Sequence, residues 1–249
     1  MGMYQLTGII LRHQDVREVD RLVTIYSQEQ GMATLRARGV RKISSKLAGS
    51  LEPLQAAVLT AVTGATFDTI TGAEIQSTFP SIHLDPRRKA VAWFCAALVA
   101  TVSHERQRDT RVYQLLEQTF VALETHDGPA LYQLLRWHFS WRLLVLLGHA
   151  PELRNCMVCH QAMSADDTMF SVKRGGLVHL RCRGVDASAR PITTTTIKLI
   201  RELCNEDMKR VRRLRYPASI ARESDTLIDT FLSYIFERDI SFGAFGTLV

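Results

Sequence analysis

RLVTIYSQEQGMATLRARGV, residues 21–40, divides into two runs rich in β-branched residues, RLVTIYSQ (21–28) and MATLRARGV (32–40), interrupted at Gly31. Side chains branched at Cβ pack well on a pleated surface, so each run reads as a strand. Working outward, YQLTGIILRH (4–13), LQAAVLTAV (54–62) and TFDTITGAEI (66–75) have the same texture, with Gly49, Pro53 and Gly64 as punctuation. Five short strands at this spacing predict a small closed or nearly closed barrel, and the OB-type barrel is the common five-stranded arrangement. A sandwich or an SH3-like barrel is the alternative that strand count leaves open.

The texture changes after Pro86. Residues 87–104, 110–125 and 129–147 are helical by length, by Ala/Leu/Gln/Glu content and by the lack of internal Gly or Pro. Asp85-Pro86 and Asp127-Gly128-Pro129 supply start signals. The third of these helices, in ALYQLLRWHFSWRLLVLLG (130–148), is apolar almost all round towards its end, which predicts a central position, with Gly148 as its C-terminal stop. Residues 193–206 and 222–239 read as two further amphipathic helices. The expected class is therefore α+β: an OB-type barrel over residues 1–80, then a helical domain over 81–249. A metal-binding insertion interrupts the second domain at about 154–185.

That insertion contains NCMVCHQAMSADDTMFSVKRGGLVHLRCRG (155–184), which carries Cys156, Cys159, His179 and Cys182 in the spacing C-x2-C-x19-H-x2-C. Each x2 pair fits a tight turn that aims two ligands at one ion. An intervening hairpin, turning at Gly175-Gly176, brings the pairs together, and Met169, Phe170, Val172, Leu177 and Val178 are there to cover it. Zinc accepts sulfur and imidazole in a tetrahedron, and three cysteines with one histidine leave no position for water, so one structural zinc ion per chain is expected. His160 is the competing imidazole, although its place beside a ligand would strain the chelate. Cys156-Met-Val-Cys159-His160 also matches a c-type haem attachment pattern, and a redox Cys-x-x-Cys is a further reading. The first needs export; the second leaves His179 and Cys182 unexplained. Cys95 and Cys204 fall on helical segments and read as buried apolar residues.

The chain has 249 residues, a formal net charge of +6 and 46% apolar residues, an ordinary balance for a folded protein. The longest apolar stretch, AVAWFCAALVATV (90–102), is too short to span a bilayer. The N-terminal MGMYQLTGIILRHQ lacks the basic start, apolar middle and cleavage site of a signal peptide, so no membrane association and a cytoplasmic location are expected. Thiols stay reduced there, which favours metal ligands over disulfides.

A basic balance admits nucleic acid as a partner. GMATLRARGVRKISSKLAGSL (31–51) holds Arg36, Arg38, Arg41, Lys42 and Lys46 and no acid. At a strand period of two, Arg36 and Arg38 share one face while Leu35 and Ala37 point to the core. Cations on a strand and the loop after it can neutralise phosphates without reading sequence, and a merely solvated basic face is the alternative. KRVRRLR (209–215) is a second cluster. Motifs of the forms G-x-x-x-x-G-K-[ST], G-x-G-x-x-G and G-x-S-x-G are absent, and no constellation reads as an active site. The expectation is a non-enzyme without nucleotide cofactor.

Four stretches together resemble the RecO family of bacterial DNA-repair and recombination mediators. GIILRHQDVREVDRLVTIYSQEQGMATLRARGVRK (8–42) is similar to the family's N-terminal barrel motif, followed by LEPLQ (51–55). WRLLVLLGHAPELRNCMVCHQ (141–161) is similar to its helix-to-zinc junction, and GGLVHLRC (175–182) to its second ligand pair. The resemblance implies binding of single- and double-stranded DNA, ATP-independent annealing of complementary strands, and help in loading RecA onto DNA coated by single-stranded-DNA-binding protein (SSB). It implies RecR and the SSB C-terminal tail as partners. Cys156, Cys159 and Cys182 match metal cysteines of the family, whereas position 179 is usually cysteine and here is His. Arg36, Arg38, Arg41 and Lys42 match its basic strand and loop. The rival from another class is a zinc-ribbon protein–protein adaptor with no role on nucleic acid.

Overall fold

A computed structural model of the chain describes residues 2–164, 167–205 and 207–243. By internal compactness it divides into two units, at Asp127/Gly128. The expected boundary near residue 80 marks the change from strands to helices, whereas the division by compactness leaves the first three helices with the barrel.

In the first unit, β1 (Met3–Val16), β2 (Asp20–Ser27), β3 (Gly31–Ala37), β4 (Ala56–Val62) and β5 (Thr69–Ser77) form a closed barrel in the order β1-β2-β3-β5-β4. This is the OB-type arrangement expected. β1 serves two neighbours: Met3–Ile9 pairs with β4, and Gly8–Val16 pairs with β2. At the changeover sits Gly8, where a Cβ would fall 2.4 Å from the Tyr26 carbonyl oxygen, so the close approach requires glycine. The seam between β3 and β5 is parallel and consists of one pair, Arg36 with Thr69. Alternation fills the interior: Val23 and Ile25, Ala33, Leu35 and Ala37, Ala57, Leu59 and Ala61 point inward with Leu6, Ile10 and Ile70.

Asp68 bolts the seam. Its carboxylate accepts from Tyr4 Oη, from Arg106 at 2.7 Å and from the Gly64 N–H at 3.0 Å, while its carbonyl accepts from Arg36 N at 2.8 Å. Three helices complete the unit, α1 (Pro80–Leu84), α2 (Pro86–Val102) and α3 (Thr110–Thr125). α2 packs on β1 and β2, and α3 on β2, which buries Tyr26 on the outer barrel face. Asp85 and Asp109 cap α2 and α3 by accepting from Arg87 N and Arg111 N, at 2.8 and 2.9 Å.

In the second unit, α4 (Pro129–Leu146) is central, as its all-round apolarity predicts, with Leu135, Trp137, Phe139 and Trp141 buried. Gly148, at φ +86°, ends it. Gly148 N bonds to the Val145 carbonyl and His149 N to that of Leu144, a Schellman closure. Around α4 lie α5 (Thr194–Leu203), α6 (Met208–Val211) and α7 (Ala221–Phe236). Arg136, 3% exposed on this apolar helix, is neutralised by Asp225 and Asp229 of α7 and lies 4.7 Å from the Phe242 ring centroid. A small sheet, β7 (Gly176–His179), β6 (Thr168–Ser171) and β8 (Arg190–Pro191), completes the unit.

His138 is 1% exposed and donates from Nδ1 to the Leu203 carbonyl at 2.8 Å. Burial holds its pKa down at about 4. The unfolded chain binds this proton near pH 6.5, so stability from this group is complete above that value. It is lost as pH falls through the window from about 6.5 to about 4. Between pH 7.5 and 4.5 urea unfolding of the native chain should lose about 2–3 kcal/mol more than that of His138→Asn, whose amide nitrogen takes the place of Nδ1 as donor to Leu203. Parallel losses in both proteins would place the acid sensitivity elsewhere.

A candidate metal centre and the cationic turn of the barrel

In the second unit the ligand atoms of Cys156, Cys159, His179 and Cys182 all lie within 4.8 Å of one another. Two turns make this possible. In the first, Val158 N donates to Cys156 Sγ at 3.4 Å and His160 N to the Cys156 carbonyl at 2.9 Å, with His160 in the left-handed region at φ +59°. In the second, His179 ends β7 and a 3-10 turn over Leu180–Val185 presents Cys182. The β6–β7 hairpin joins them, turning at Gly175 (φ +73°).

Alternation along the hairpin divides its labour. Met169 and Val178, paired across the strands, close over Cys156 with Ala189. The neighbouring pair Phe170 and Leu177 faces the other way, and Phe170 stacks edge-on against Phe231 of α7 at 5.7 Å. The two turns are linked by Arg181, which donates to Gln161 Oε1 at 2.8 Å.

His179 is 2% exposed, and its Nδ1 lies 3.3 Å from Cys159 Sγ. His160 is exposed and stands outside the group of four. A tetrahedral zinc ion with bonds of about 2.3 Å to sulfur and 2.0–2.1 Å to nitrogen needs ligand atoms about 3.5–3.8 Å apart. The four donors therefore fit a metal ion. Burial opposes ionisation of Cys156, but N–H groups of Cys159, His179 and Val158 outweigh it and bring the thiol down to about 6. Burial and the neighbouring thiols push Cys182 up. Cys95 is fully buried, and burial raises Cys204 to about 12, so neither competes as a ligand.

The first unit carries the barrel cations, and the structure corrects two expectations about them. β3 stops at Ala37, so Arg38 lies in the following turn instead of beside Arg36 on a strand face. Nor is the cationic surface free of acids. Asp20, 7% exposed, accepts from Arg36 through Oδ2 and from the Gly39 N–H, 2.7 Å away, through Oδ1. The Gly39 N–H and the Arg36 guanidinium together hold its carboxyl below the usual range. The same carboxylate thus neutralises Arg36 and ties down the turn that follows the strand. Arg41 pairs with Asp15 at 3.2 Å and donates to the Glu18 carbonyl at 3.0 Å. Among the described residues, Arg38, Lys42 and Lys46 are exposed and make no ion pair. In the second cluster Arg210 pairs with Glu202 at 2.6 Å.

Sequence reasoning missed Asp20, although the signal was present. In the β2–β3 hairpin Leu22 stands opposite Arg36, so Asp20, two residues earlier, is its diagonal neighbour. The second unit also holds a cavity of about 790 Å³ between the small sheet and α7, lined by Phe170, Val172, Ile192, Leu227 and Tyr234. Lys173, Arg190 and Arg222 belong to the same lining, and among the described residues none has an ion pair; Glu223, also in the lining, accepts from Thr193 and Thr196.

Two family models match the chain: "Recombination protein O N terminal" over residues 1–79 and "Recombination protein O C terminal" over residues 83–240. The chain belongs to the RecO family. It is similar to the DNA repair protein RecO of Roseiflexus sp. strain RS-1, at 31% identity over 95% of this chain and 82% of that one. It is also similar to RecO of Dehalococcoides mccartyi strain 195, at 28% identity over 95% of this chain and 92% of that one. RecO of Pelotomaculum thermopropionicum is 28% identical over 98% of this chain and 94% of its own. The match to RecO thus takes in the barrel, the helices and the candidate metal centre. Among the described residues no helix is long and apolar enough to cross a membrane.

Proposed function

We propose that the protein is a cytoplasmic DNA repair and recombination mediator. It binds single- and double-stranded DNA, anneals complementary strands without ATP and helps RecA load onto SSB-coated DNA. The observation that carries this is the turn after β3, where Arg38, Lys42 and Lys46 stand exposed and, among the described residues, without an ion pair in a chain of the RecO family. Such a surface contacts phosphates and leaves bases free to pair. Annealing needs phosphate repulsion overcome, and base pairing supplies the driving force, so the protein acts as a binding factor and not as an enzyme. The metal is zinc, and its part is to hold the β6–β7 hairpin against α7.

RecR and the SSB C-terminal tail are the proposed protein partners. The tail is acidic with an apolar tip, and the cavity beside α7 offers apolar walls with Lys173, Arg190 and Arg222. Annealing of SSB-coated strands tests the whole reading. It should proceed without ATP, and removing the SSB tail should slow it far more than annealing of naked strands. Equal slowing of both, or a need for ATP, overturns the mechanism. DNA affinity that does not change with salt would favour a protein–protein adaptor.

A further inference from the structure

We infer that Ile43 is a base-contacting wedge that enters between neighbouring bases of the bound strand. This rests on the proposal that DNA lies on the turn after β3. Ile43 is fully exposed, at 107% of its reference area. A single exposed aliphatic side chain is ordinary on a protein surface, but the setting of this one is not. The segment is fastened on both sides of it: Val40 is 1% exposed, and Leu47 packs against the barrel core. Lys42 N donates back to the Gly39 carbonyl at 3.1 Å, and between the anchors Ser45 N donates to the Lys42 carbonyl at 2.9 Å. Ile43 is therefore the first central residue of a hydrogen-bonded turn that keeps it outside the core.

Its neighbours are cationic. Arg38, Lys42 and Lys46 flank it with no ion pair among the described residues, and Arg41 is 42% exposed despite Asp15. An aliphatic side chain among residues that hold phosphates is the combination by which architectural DNA-binding proteins part base steps. Contact with base faces removes the side chain from water, and parting a stacked step turns pairing edges outward. Both serve annealing, and neither requires sequence to be read.

The test uses the full metal-loaded chain and a single-stranded oligonucleotide carrying 2-aminopurine between purines, whose fluorescence rises on unstacking. The native protein should raise that fluorescence. Ile43→Ser should bind about tenfold more weakly with an unchanged salt slope and should lose the rise, and Ile43→Leu should restore both. Equal fluorescence and affinity for the native chain and Ile43→Ser overturn the wedge while leaving backbone binding intact. If Arg38→Ala, Lys42→Ala and Lys46→Ala together change neither affinity nor slope, DNA does not lie on this turn, and both readings fall. Ile43-dependent binding to phosphatidylglycerol vesicles, with no change in 2-aminopurine, would make the turn a membrane wedge and would equally overturn the inference.

Discussion

Cys182→Ser should release the metal and unfold the segment around the β6–β7 hairpin, while the barrel keeps its structure. The side of the hairpin that faces the four candidate donors has a buried core of Cys156, Met169, Val178 and Ala189. So small a cluster cannot offset the entropy of ordering the turns around it. Apparent binding energies for structural zinc in small domains are about 10–16 kcal/mol, far more than that cluster supplies. Hydrogen exchange should show protection lost over residues 168–179 and retained in β1, β2 and β4. His179→Cys should keep the metal, since a thiolate replaces an imidazole, and His160→Ala should keep it too. Elemental analysis showing no zinc in freshly purified protein would refute the assignment of the ion. Metal retained in His179→Ala but lost in His160→Ala would move the fourth ligand.

Replacing Arg38, Lys42 and Lys46 together by Ala should weaken single-stranded DNA binding about a hundredfold near 0.1 M salt. Each lost phosphate contact removes about 0.7 from the slope of log affinity against log salt, so the slope should flatten by about 2. The loss should be the same on every sequence. Arg36→Ala should behave differently. Its guanidinium is held by Asp20, so its removal should lower stability by about 1–3 kcal/mol while leaving the salt slope unchanged. A slope unaltered in the triple variant would show that these cations are only solvated.

Much of the fold is legible because β-branched runs, Asp-Pro starts and the Gly148 stop each have a local physical cause. The five strands, the three long helices and the central place of α4 follow from such signals. What is not legible is set by partners distant in sequence. That β3 closes on β5, and that Asp68 fastens the closure, depends on side chains that no single window contains. α1 and α6 are too short for periodicity to reveal. Arg136 reads as an interruption of an apolar helix until Asp225 and Asp229 arrive from α7. At the candidate site, cysteine spacing marks three of the four candidate donors, but the choice between His179 and His160 needs the hairpin. The basic segment is legible by composition, yet among the described residues only three of its five cations are without an ion pair, because the acids that neutralise the others come from β1 and β2.

The parallel seam has a kinetic consequence. β1–β2, β2–β3 and β4–β5 are joined by local connections, so they can form at small loop-closure cost. The Arg36–Thr69 pair joins segments far apart in the chain and gains one pair in return. It should therefore form on the native side of the folding barrier. Asp68→Asn, which weakens its ties to Tyr4 and Arg106, should speed unfolding markedly and change the folding rate little. A chevron whose folding limb falls as much as its unfolding limb rises would place the seam in the nucleus. If the limbs behave as expected, closure is the last step in making the barrel and its reversal the first step in losing it.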